Sequence, residues 1–288
     1  MNGIRMMTAS RGIDLEFTRD IHRLFHFDYD ILVQNASYVD PDRFPPHIKI
    51  ICGPQSWVFP EGPIVGPCES RFEKRCAYNS LSKWVEVFVR EMAGDLRVPI
   101  TQFPFAVDVE KFKPTNQEKT LDCILYAKLR SNHLVEGLAE KLKAKNLSFN
   151  TYLYNRYTEE NYLKDLQRCK FMVVCDRHES QGFALQEAMS CGVPLLVLDA
   201  TTMYDEVVDG KAIYEYCRPK KLLSTCVPYF SEACGIRVET MDEIDAALDK
   251  MIVDYPSFNP RDYILKTLSP TVCMDRILEY FDLTCTSA

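Results

Sequence analysis

HESQGFALQEAMSCGVPLLVLDA, residues 178–200, places two glutamates, Glu179 and Glu187, eight positions apart on either side of Gly182. An apolar run, KFMVVCD, precedes this stretch, and a second run, VPLLVLD, closes it. The pattern predicts a strand that ends at Asp176, a loop, a helix that begins near Gly182, and another strand. In a parallel sheet of this kind ligands lie beyond the carboxyl ends of the strands, so the loop before Gly182 lies on the ligand-binding rim.

The C-terminal half of the chain repeats this alternation of apolar runs and helical spacing. The runs LDCILYA, SFNTYLY, KFMVVCD and VPLLVLD have the length and composition of strands. Each is followed by a predicted helix: SNHLVEGLAEKLKAK, TEENYLKDLQRC, GFALQEAMSC and a short one near MYDEVVD. Successive strand–helix units predict a parallel sheet with helices on both faces.

The N-terminal part of the chain and its tail are less regular. Two strand-like runs, YDILVQNA and HIKIICG, and two helical stretches, LEFTRDIHRLF and SKWVEVFVREM, surround a loop rich in Pro and Gly. The segment FPFAVDVEKFKPTNQEK, 103–119, carries two prolines and then charges, which is typical of a domain boundary. The tail predicts three helices, MDEIDAALDKMI, PRDYILKTL and SPTVCMDRILEYF.

Composition argues against several classes of function. The net charge is -7 and no run of lysine or arginine occurs, so we expect no nucleic-acid partner. No stretch approaches the roughly 18 apolar residues of a membrane span, and the N-terminus lacks a signal-peptide core, which leaves only peripheral membrane association open. The twelve cysteines are scattered without CxxC pairs, so we expect buried thiols and a cytoplasmic protein.

The stretch around Gly182 has the features of a phosphate-binding turn. A helix that begins there directs its free N–H groups and the positive end of its dipole at the rim of the sheet. Gly182 has no Cβ, so a ligand can approach the backbone closely. Glu187 would lie roughly 7.5 Å further along the helix, where a carboxylate can accept hydrogen bonds from a ribose diol, and Glu179 would lie beyond the phosphate. The alternative is that both glutamates are solvated acids.

Two segments together resemble a known family. ESQGFALQEAMSCGVPLLV, 179–197, resembles the E-x7-E signature of retaining glycosyltransferases with the GT-B fold, the group of family four and glycogen-synthase-like enzymes. FPFAVDVEKFKP, 103–114, resembles the P-x-G-V-D-x-x-x-F-x-P interdomain linker of those enzymes, with Ala106 where glycine is usual. The two segments occur in the order that the family has.

The resemblance implies an α/β chain with two Rossmann-like domains that face each other across a cleft, and C-terminal helices that cross back. The expected parts are a small acceptor-side domain over 1–105 and a linker over 106–118. A nucleotide-sugar-binding domain over 119–258 and C-terminal helices over 259–288, which pack back on the first domain, complete the expected organisation.

For the site, the resemblance implies a nucleotide-diphosphate sugar as the donor. Glu187 would hold the ribose hydroxyls and Glu179 would contact the donor sugar. Lys128 and Arg130 follow the first strand of the C-terminal domain and would neutralise the diphosphate, because fixed cations stabilise the charge of a departing phosphate. The alternative is that both are solvated surface cations. The other residues assigned to the nucleotide-sugar site are Gly182, Ser180, Gln181 and Phe183.

The implied reaction is glycosyl transfer to an acceptor hydroxyl with retention at the anomeric carbon. The acceptor would be a glycan, a lipid or a protein, and no cofactor besides the donor is expected. We expect no metal, because the Asp-x-Asp pair of FDYDIL, Asp28 and Asp30, directly precedes a strand, at the rim opposite the ligands.

The chain departs from the family in its first 105 residues, which form a short domain with the usual glycine-rich loop reduced to ASRG. No histidine of that domain replaces the one that commonly faces the reacting sugar, and Gln55 in GPQSWVFP is the acceptor-side candidate. Two other functions stay open for this reason. A nucleotide-sugar epimerase on the same fold would react without an acceptor, and a non-catalytic sugar-nucleotide or glycan-binding module would bind the donor without consuming it.

Overall fold

The structure of the chain is a computed structural model. It describes residues 2–20, 22–25, 29–34, 40–54, 64–203, 207–208, 211–212 and 223–284. The chain divides into two compact units, Met1–Ala106 with Pro270–Ala288, and Val107–Ser269. Both units are built on parallel sheets flanked by helices, which confirms the predicted α/β class.

Strands and helices alternate along most of the chain, with short 3-10 turns between some of them. The strands and helices predicted after residue 119 are present, with ends within a few residues of the expected ones, apart from the short helix near MYDEVVD, which lies mostly outside the described residues. In chain order the elements are α1 (Asn2–Ala9), β1 (Ile31–Gln34), β2 (Lys49–Cys52), β3 (Cys76–Asn79), α2 (Lys83–Ala93), β4 (Ile100–Thr101), β5 (Leu121–Lys128), α3 (Asn132–Ala144), β6 (Phe149–Leu153), α4 (Glu159–Arg168), β7 (Cys169–Asp176), α5 (Phe183–Ser190), β8 (Leu195–Leu198), β9 (Val207–Val208), β10 (Lys211–Ala212), β11 (Gly235–Val238), α6 (Ile244–Asp254), α7 (Pro260–Leu268) and α8 (Pro270–Tyr280).

The second unit, Val107–Ser269, contains a five-stranded parallel sheet with the strand order β11-β8-β7-β5-β6. The central strands β5, β7 and β8 have buried side chains on both faces, which is why they read as continuous apolar runs. Helices α3 and α6 cover one face. The core on that face includes Cys123, Leu125, Leu138, Leu142, Val173, Leu196, Leu248 and Met251.

The first unit contains a four-stranded parallel sheet with the order β1-β2-β3-β4. Helix α8 packs on α1 within this unit. Arg11 donates two hydrogen bonds to the Asp275 carboxylate, at 2.7 and 2.5 Å, and the Tyr280 hydroxyl donates to the Cys76 carbonyl at 3.0 Å. The residues from 270 onward therefore complete the unit that the N-terminus begins.

One predicted helix, LEFTRDIHRLF, is wrong. Residues 13–20 have no regular structure, and only Arg23–Phe25 form a 3-10 turn. The Thr18 hydroxyl accepts the N–H of Asp20, and the Asp20 carboxylate accepts the N–H of His22. Such local side-chain bonds to the backbone compete with helical hydrogen bonds and keep this segment out of a helix.

Of the short helix expected near MYDEVVD, 203–209, the structure describes only Met203, which is in a 3-10 turn, and Val207–Val208. Val207–Val208 instead pair with Lys211–Ala212 as two short antiparallel strands. The β-branched valines suit a strand, which explains the difference. Residues 204–206 and 209 lie outside the described part of the chain.

Candidate active site

The carboxyl ends of β5 and β7 bring the predicted site residues together. Lys128, the last residue of β5, pairs in register with Asp176, the last residue of β7. The N–H of Arg177 donates to the Lys128 carbonyl at 2.9 Å, which extends this ladder by one bond. The loop that carries Glu179 therefore begins beside Lys128, although the two residues are 51 positions apart in the sequence.

The side chains of Lys128 and Glu179 form an ion pair at this rim. Only 10% of the Lys128 side chain and 12% of the Glu179 side chain are exposed. The Arg177 Nε lies 3.7 Å from the same carboxylate oxygen, and the Lys128 ammonium lies 4.4 Å from the centre of the Tyr154 ring. A shielded carboxylate is thus shared between two cations, and the alternative of a solvated Lys128 is excluded.

Arg130 lies at the ends of two neighbouring strands. Its Nη1 donates to the backbone carbonyl of Asp176 at 3.0 Å and reaches that of Leu198 at 3.5 Å. Its Nε is buried, and no described residue accepts a hydrogen bond from it. Arg130 therefore fixes the strand ends that form the rim, and it places a positive charge at this edge of the sheet.

Gly182 provides the turn into α5. Its backbone is left-handed, with φ 78° and ψ 57°, a conformation that glycine adopts at low cost. A Cβ at this position would lie 3.4 Å from the Cys226 carbonyl oxygen and 3.6 Å from the Glu179 Cβ. The first turn of α5 carries no acidic residue, so its amide groups and the positive end of the helix dipole are suited to an anion.

The residues around Gly182 have different environments. Gln181 is buried, and its amide donates to the Gln186 side chain at 3.1 Å, while the Gln186 amide donates to the Gln181 carbonyl at 2.5 Å. These bonds tie the loop to the first turns of α5. Ser180 and Phe183 are exposed, with Phe183 at 42%, so they present side chains to a ligand more directly than Gln181 does.

Glu187 lies one turn further along α5. Burial, together with the Glu159 carboxylate, raises the pKa of Glu187 to about 8, against the opposite influence of Lys111. Lys111 itself binds Glu159. No described residue donates a hydrogen bond to the Glu187 carboxyl. Such a half-buried carboxyl, which receives no hydrogen bond from a described residue, can accept hydrogen bonds from hydroxyl groups of a ligand.

Three further residues are buried beside Glu179 and were not assigned from the sequence: Asp176 at the end of β7, and Arg177 and His178 in the loop that follows. Burial, reinforced by the Glu179 carboxylate, holds the pKa of the Asp176 carboxyl well above its usual range. Burial and then the Arg177 charge lower the pKa of His178 to about 3, so its imidazole is neutral at pH 7. The sequence signal that points to them is the polar run DRHE, which begins at the last residue of an apolar strand.

Two predicted positions, Gln55 and Asp28, lie outside the part of the chain that the structure describes. Across the described ranges, no group of three His, Cys, Asp or Glu side chains is arranged to hold a metal ion. Within the same ranges, every helix is too short or too polar to cross a membrane.

Both the sequence and the fold of this chain have counterparts among known proteins. Residues 132–222 match the family model described as "Glycosyl transferases group 1". A search of curated proteins finds no match to this sequence. The structure of AviGT4, a glycosyltransferase involved in avilamycin A biosynthesis, is similar over 93% of this chain and 78% of its own, at 13% identity and a TM-score of 0.53. TarM is similar over 82% of this chain and 55% of its own, at 14% identity and a TM-score of 0.49.

The likeness to AviGT4 concerns the fold, whereas the family match concerns the sequence of residues 132–222. At 13% identity the likeness agrees with the parallel sheets of both units. The family match covers the segment that contains Glu179, Gly182 and Glu187, whereas Lys128 and Arg130 precede it. This chain therefore has the GT-B fold, and the match of residues 132–222 to the glycosyl transferases group 1 supports glycosyl transfer as its activity.

Proposed function

We propose that this chain transfers a sugar from a nucleotide-diphosphate sugar to an acceptor hydroxyl, with retention of configuration at the anomeric carbon. The observation that carries the proposal is the shielded ion pair of Lys128 and Glu179 beside the helix start at Gly182. The family match over 132–222 supports the same class of reaction.

The donor would lie along α5 with its diphosphate at the helix start. The amide groups after Gly182 and the ammonium of Lys128 meet the phosphate oxygens, and Arg130 adds positive charge behind them. The Glu187 carboxyl, which is half-buried and receives no hydrogen bond from a described residue, accepts the two ribose hydroxyls. Glu179 offers its second oxygen to a hydroxyl of the sugar.

In the reaction, the bond between the anomeric carbon and the diphosphate oxygen breaks, and a bond to the acceptor oxygen forms on the same face of the sugar. The acceptor proton passes to the departing phosphate oxygen, so no enzymic carboxylate has to act as nucleophile. Lys128, Arg130 and the helix start stabilise the negative charge that grows on that oxygen, and Arg177 holds Glu179 in place. The acceptor is a glycan, a lipid or a protein, and the protein is cytoplasmic.

Because side-chain cations and backbone amides meet the diphosphate, we propose that the reaction needs no metal. Thermal-shift measurements with UDP, GDP, ADP and CDP sugars identify the donor, since a ligand of the folded state raises the apparent melting temperature. Release of nucleoside diphosphate is then followed with an acceptor panel, in EDTA and with manganese.

The proposal expects one nucleotide to stabilise the protein and an acceptor-dependent release that persists in EDTA. Conversion of the donor to an epimer without any acceptor would contradict transfer, as would tight donor binding that no acceptor converts to product. Loss of activity in EDTA with recovery in manganese would contradict the metal-independent reaction.

A further inference from the structure

The carboxylate of Asp199, which follows the last residue of β8, accepts hydrogen bonds from three residues. Asp199 is only 4% exposed. Its Oδ1 accepts the N–H groups of Ala200 and Cys226, both at 2.8 Å, and the Thr225 hydroxyl bonds to the carboxylate at 2.9 and 3.0 Å. Arg237 lies 3.6 Å from Oδ2. Hydrogen bonds to a charged acceptor are stronger than neutral ones, so this carboxylate fixes the backbone at 225–226 firmly.

The segment that Asp199 fixes is the one that supports the candidate site. The Thr225 carbonyl accepts the N–H of Glu179 at 3.0 Å. The Cys226 carbonyl lies where it would be only 3.4 Å from a Cβ on Gly182. Residues 225 and 226 therefore lie between Asp199 and the loop that carries Glu179 and leads into α5.

The chain comes to this segment only 26 positions after Asp199. It returns to the end of the strand through Ser224, whose N–H donates to the Thr201 carbonyl at 3.0 Å and whose hydroxyl donates to the Ala200 carbonyl at 2.8 Å. Those two bonds hold Ser224 beside the residues that follow β8. The bonds from Asp199 then set the position of the next two residues relative to the rim.

We propose that Asp199 is a positioning residue for the candidate active site: through Thr225 and Cys226 it holds the Glu179 backbone and the Gly182 turn in place. The inference rests on the proposed function of that site. It adds a residue that touches neither donor nor acceptor, because Asp199 acts on the ligand-binding loop only through the intervening segment.

The test compares hydrogen exchange of the Glu179 loop in variants of the two ends of this connection. Asp199→Asn removes the charge, and Thr225→Val removes the hydroxyl while keeping the shape of the side chain. Thr225→Ser keeps the hydroxyl and serves as the conservative variant. Asp122→Asn is the matched control, because the Asp122 carboxylate likewise accepts a backbone N–H and a hydroxyl, both of them from Ser148, at 2.8 and 2.7 Å.

Mass spectrometry of the peptide that covers 178–186 gives the exchange rate of the loop. We expect Asp199→Asn and Thr225→Val to speed exchange of this peptide roughly five- to tenfold, as for the loss of a hydrogen bond worth about 1 kcal/mol. Exchange in β5 and β7 should stay as in the wild type. Thr225→Ser and Asp122→Asn should leave the 178–186 peptide unchanged. If Asp199→Asn does not fold, Thr225→Val tests the same connection.

Steady-state kinetics supply the second readout. With the donor that the wild type accepts, Asp199→Asn should lower kcat by roughly tenfold and change KM less than twofold. A misplaced Glu179 loses more of its stabilising contact with the transition state than of its contact with the bound donor. Unchanged exchange of 178–186 in both variants, or exchange that rises equally throughout the unit, would overturn the inference. A wild type that uses no nucleotide sugar would instead refute the proposed function, and the exchange result would still decide the positioning role.

Discussion

The Lys128 ammonium and the Glu179 carboxylate, which the proposed reaction needs for different tasks, bind each other. Both side chains are about nine-tenths buried, so water and salt screen the pair only weakly. Arg177 and the Tyr154 ring enclose it further. A diphosphate that binds at the helix start must therefore compete with Glu179 for Lys128.

The first prediction concerns this competition. In Glu179→Gln the competing charge is gone while the shape is kept, so nucleoside diphosphate should bind roughly three- to tenfold more tightly, a gain of about 1 kcal/mol. The same variant should lose at least roughly tenfold in kcat, because the contact to the sugar is weakened. Titration calorimetry and steady-state kinetics measure the two effects. Asp249→Asn, which breaks the surface pair with Lys145, should change neither. Weaker diphosphate binding by folded Glu179→Gln would show that Lys128 does not meet the phosphates.

The second prediction separates the two cations. Lys128→Ala and Arg130→Ala should each lower kcat by about a hundredfold and raise KM less, because the charge that they meet grows in the transition state. Both variants should also lower the free energy of unfolding. Arg130→Ala should do so by about 1–2 kcal/mol, since it releases the carbonyls of Asp176 and Leu198. Lys128→Ala should do so by more, since it removes one partner of a shielded ion pair. Kinetics and urea unfolding test this together. If both variants raise only KM, the cations bind the ground state and the charge-stabilising role lies elsewhere.

The third prediction follows from the pKa of Glu187, which burial raises from 4.5 to about 8. Between these two pH values the unfolded chain has released the proton and the folded chain still holds it. The favourable contribution is therefore complete below about pH 4.5 and is lost as the pH rises to 8. Glu187→Gln cannot ionise, so its stability relative to the wild type should be higher at pH 9 than at pH 5, by about 1–3 kcal/mol.

Urea unfolding at pH 5 and pH 9 checks this difference, with the exposed Glu160→Gln as a control on the neighbouring helix. The same variant should bind nucleoside diphosphate more weakly by about 1.5–3 kcal/mol at pH 9, where the wild-type carboxylate is charged. Equal pH dependence in Glu187→Gln and the wild type would show that this carboxyl ionises normally, and unchanged affinity would remove it from the ribose site.

The fourth prediction concerns Gly182. Gly182→Ala should cost about 1–2 kcal/mol of stability, because its left-handed backbone disfavours a Cβ, and it should also weaken diphosphate binding. Gly12→Ala is the matched control: its φ is 63°, and a Cβ there meets nothing within 4 Å. Chemical unfolding and calorimetry compare the two variants. A folded Gly182→Ala with wild-type affinity would mean that no phosphate approaches this turn.

The strands and helices of the second unit could be predicted because their periodicity is local. The strand KFMVVCD and the glycine that begins GFALQEAMSC place Glu179 and Glu187 at a rim without knowledge of the remaining fold. The contact of Glu179 with Lys128 depends instead on β5 lying beside β7, while β6, which separates them in the sequence, is at the sheet edge. Strand order is a property of the assembled sheet and cannot be inferred from one segment.

Other parts of the site carry no local pattern at all. Thr225 bonds to Asp199 across 26 positions, and the connection passes through an irregular segment. The pKa of Glu187 depends on Glu159 and Lys111, which belong to a different helix and to the segment before β5. Such contacts are set by packing after the elements have formed, so the sequence predicted the two glutamates but not their surroundings.

The measurement that tests the central claim most directly is the anomeric configuration of the first product. With the donor identified by thermal shift and an acceptor that it glycosylates, proton NMR during the first turnovers reports the coupling constant of the new anomeric proton. The account predicts that the product has the same anomeric configuration as the donor. An inverted product would contradict it, because an enzymic base would then have to activate the acceptor on the opposite face.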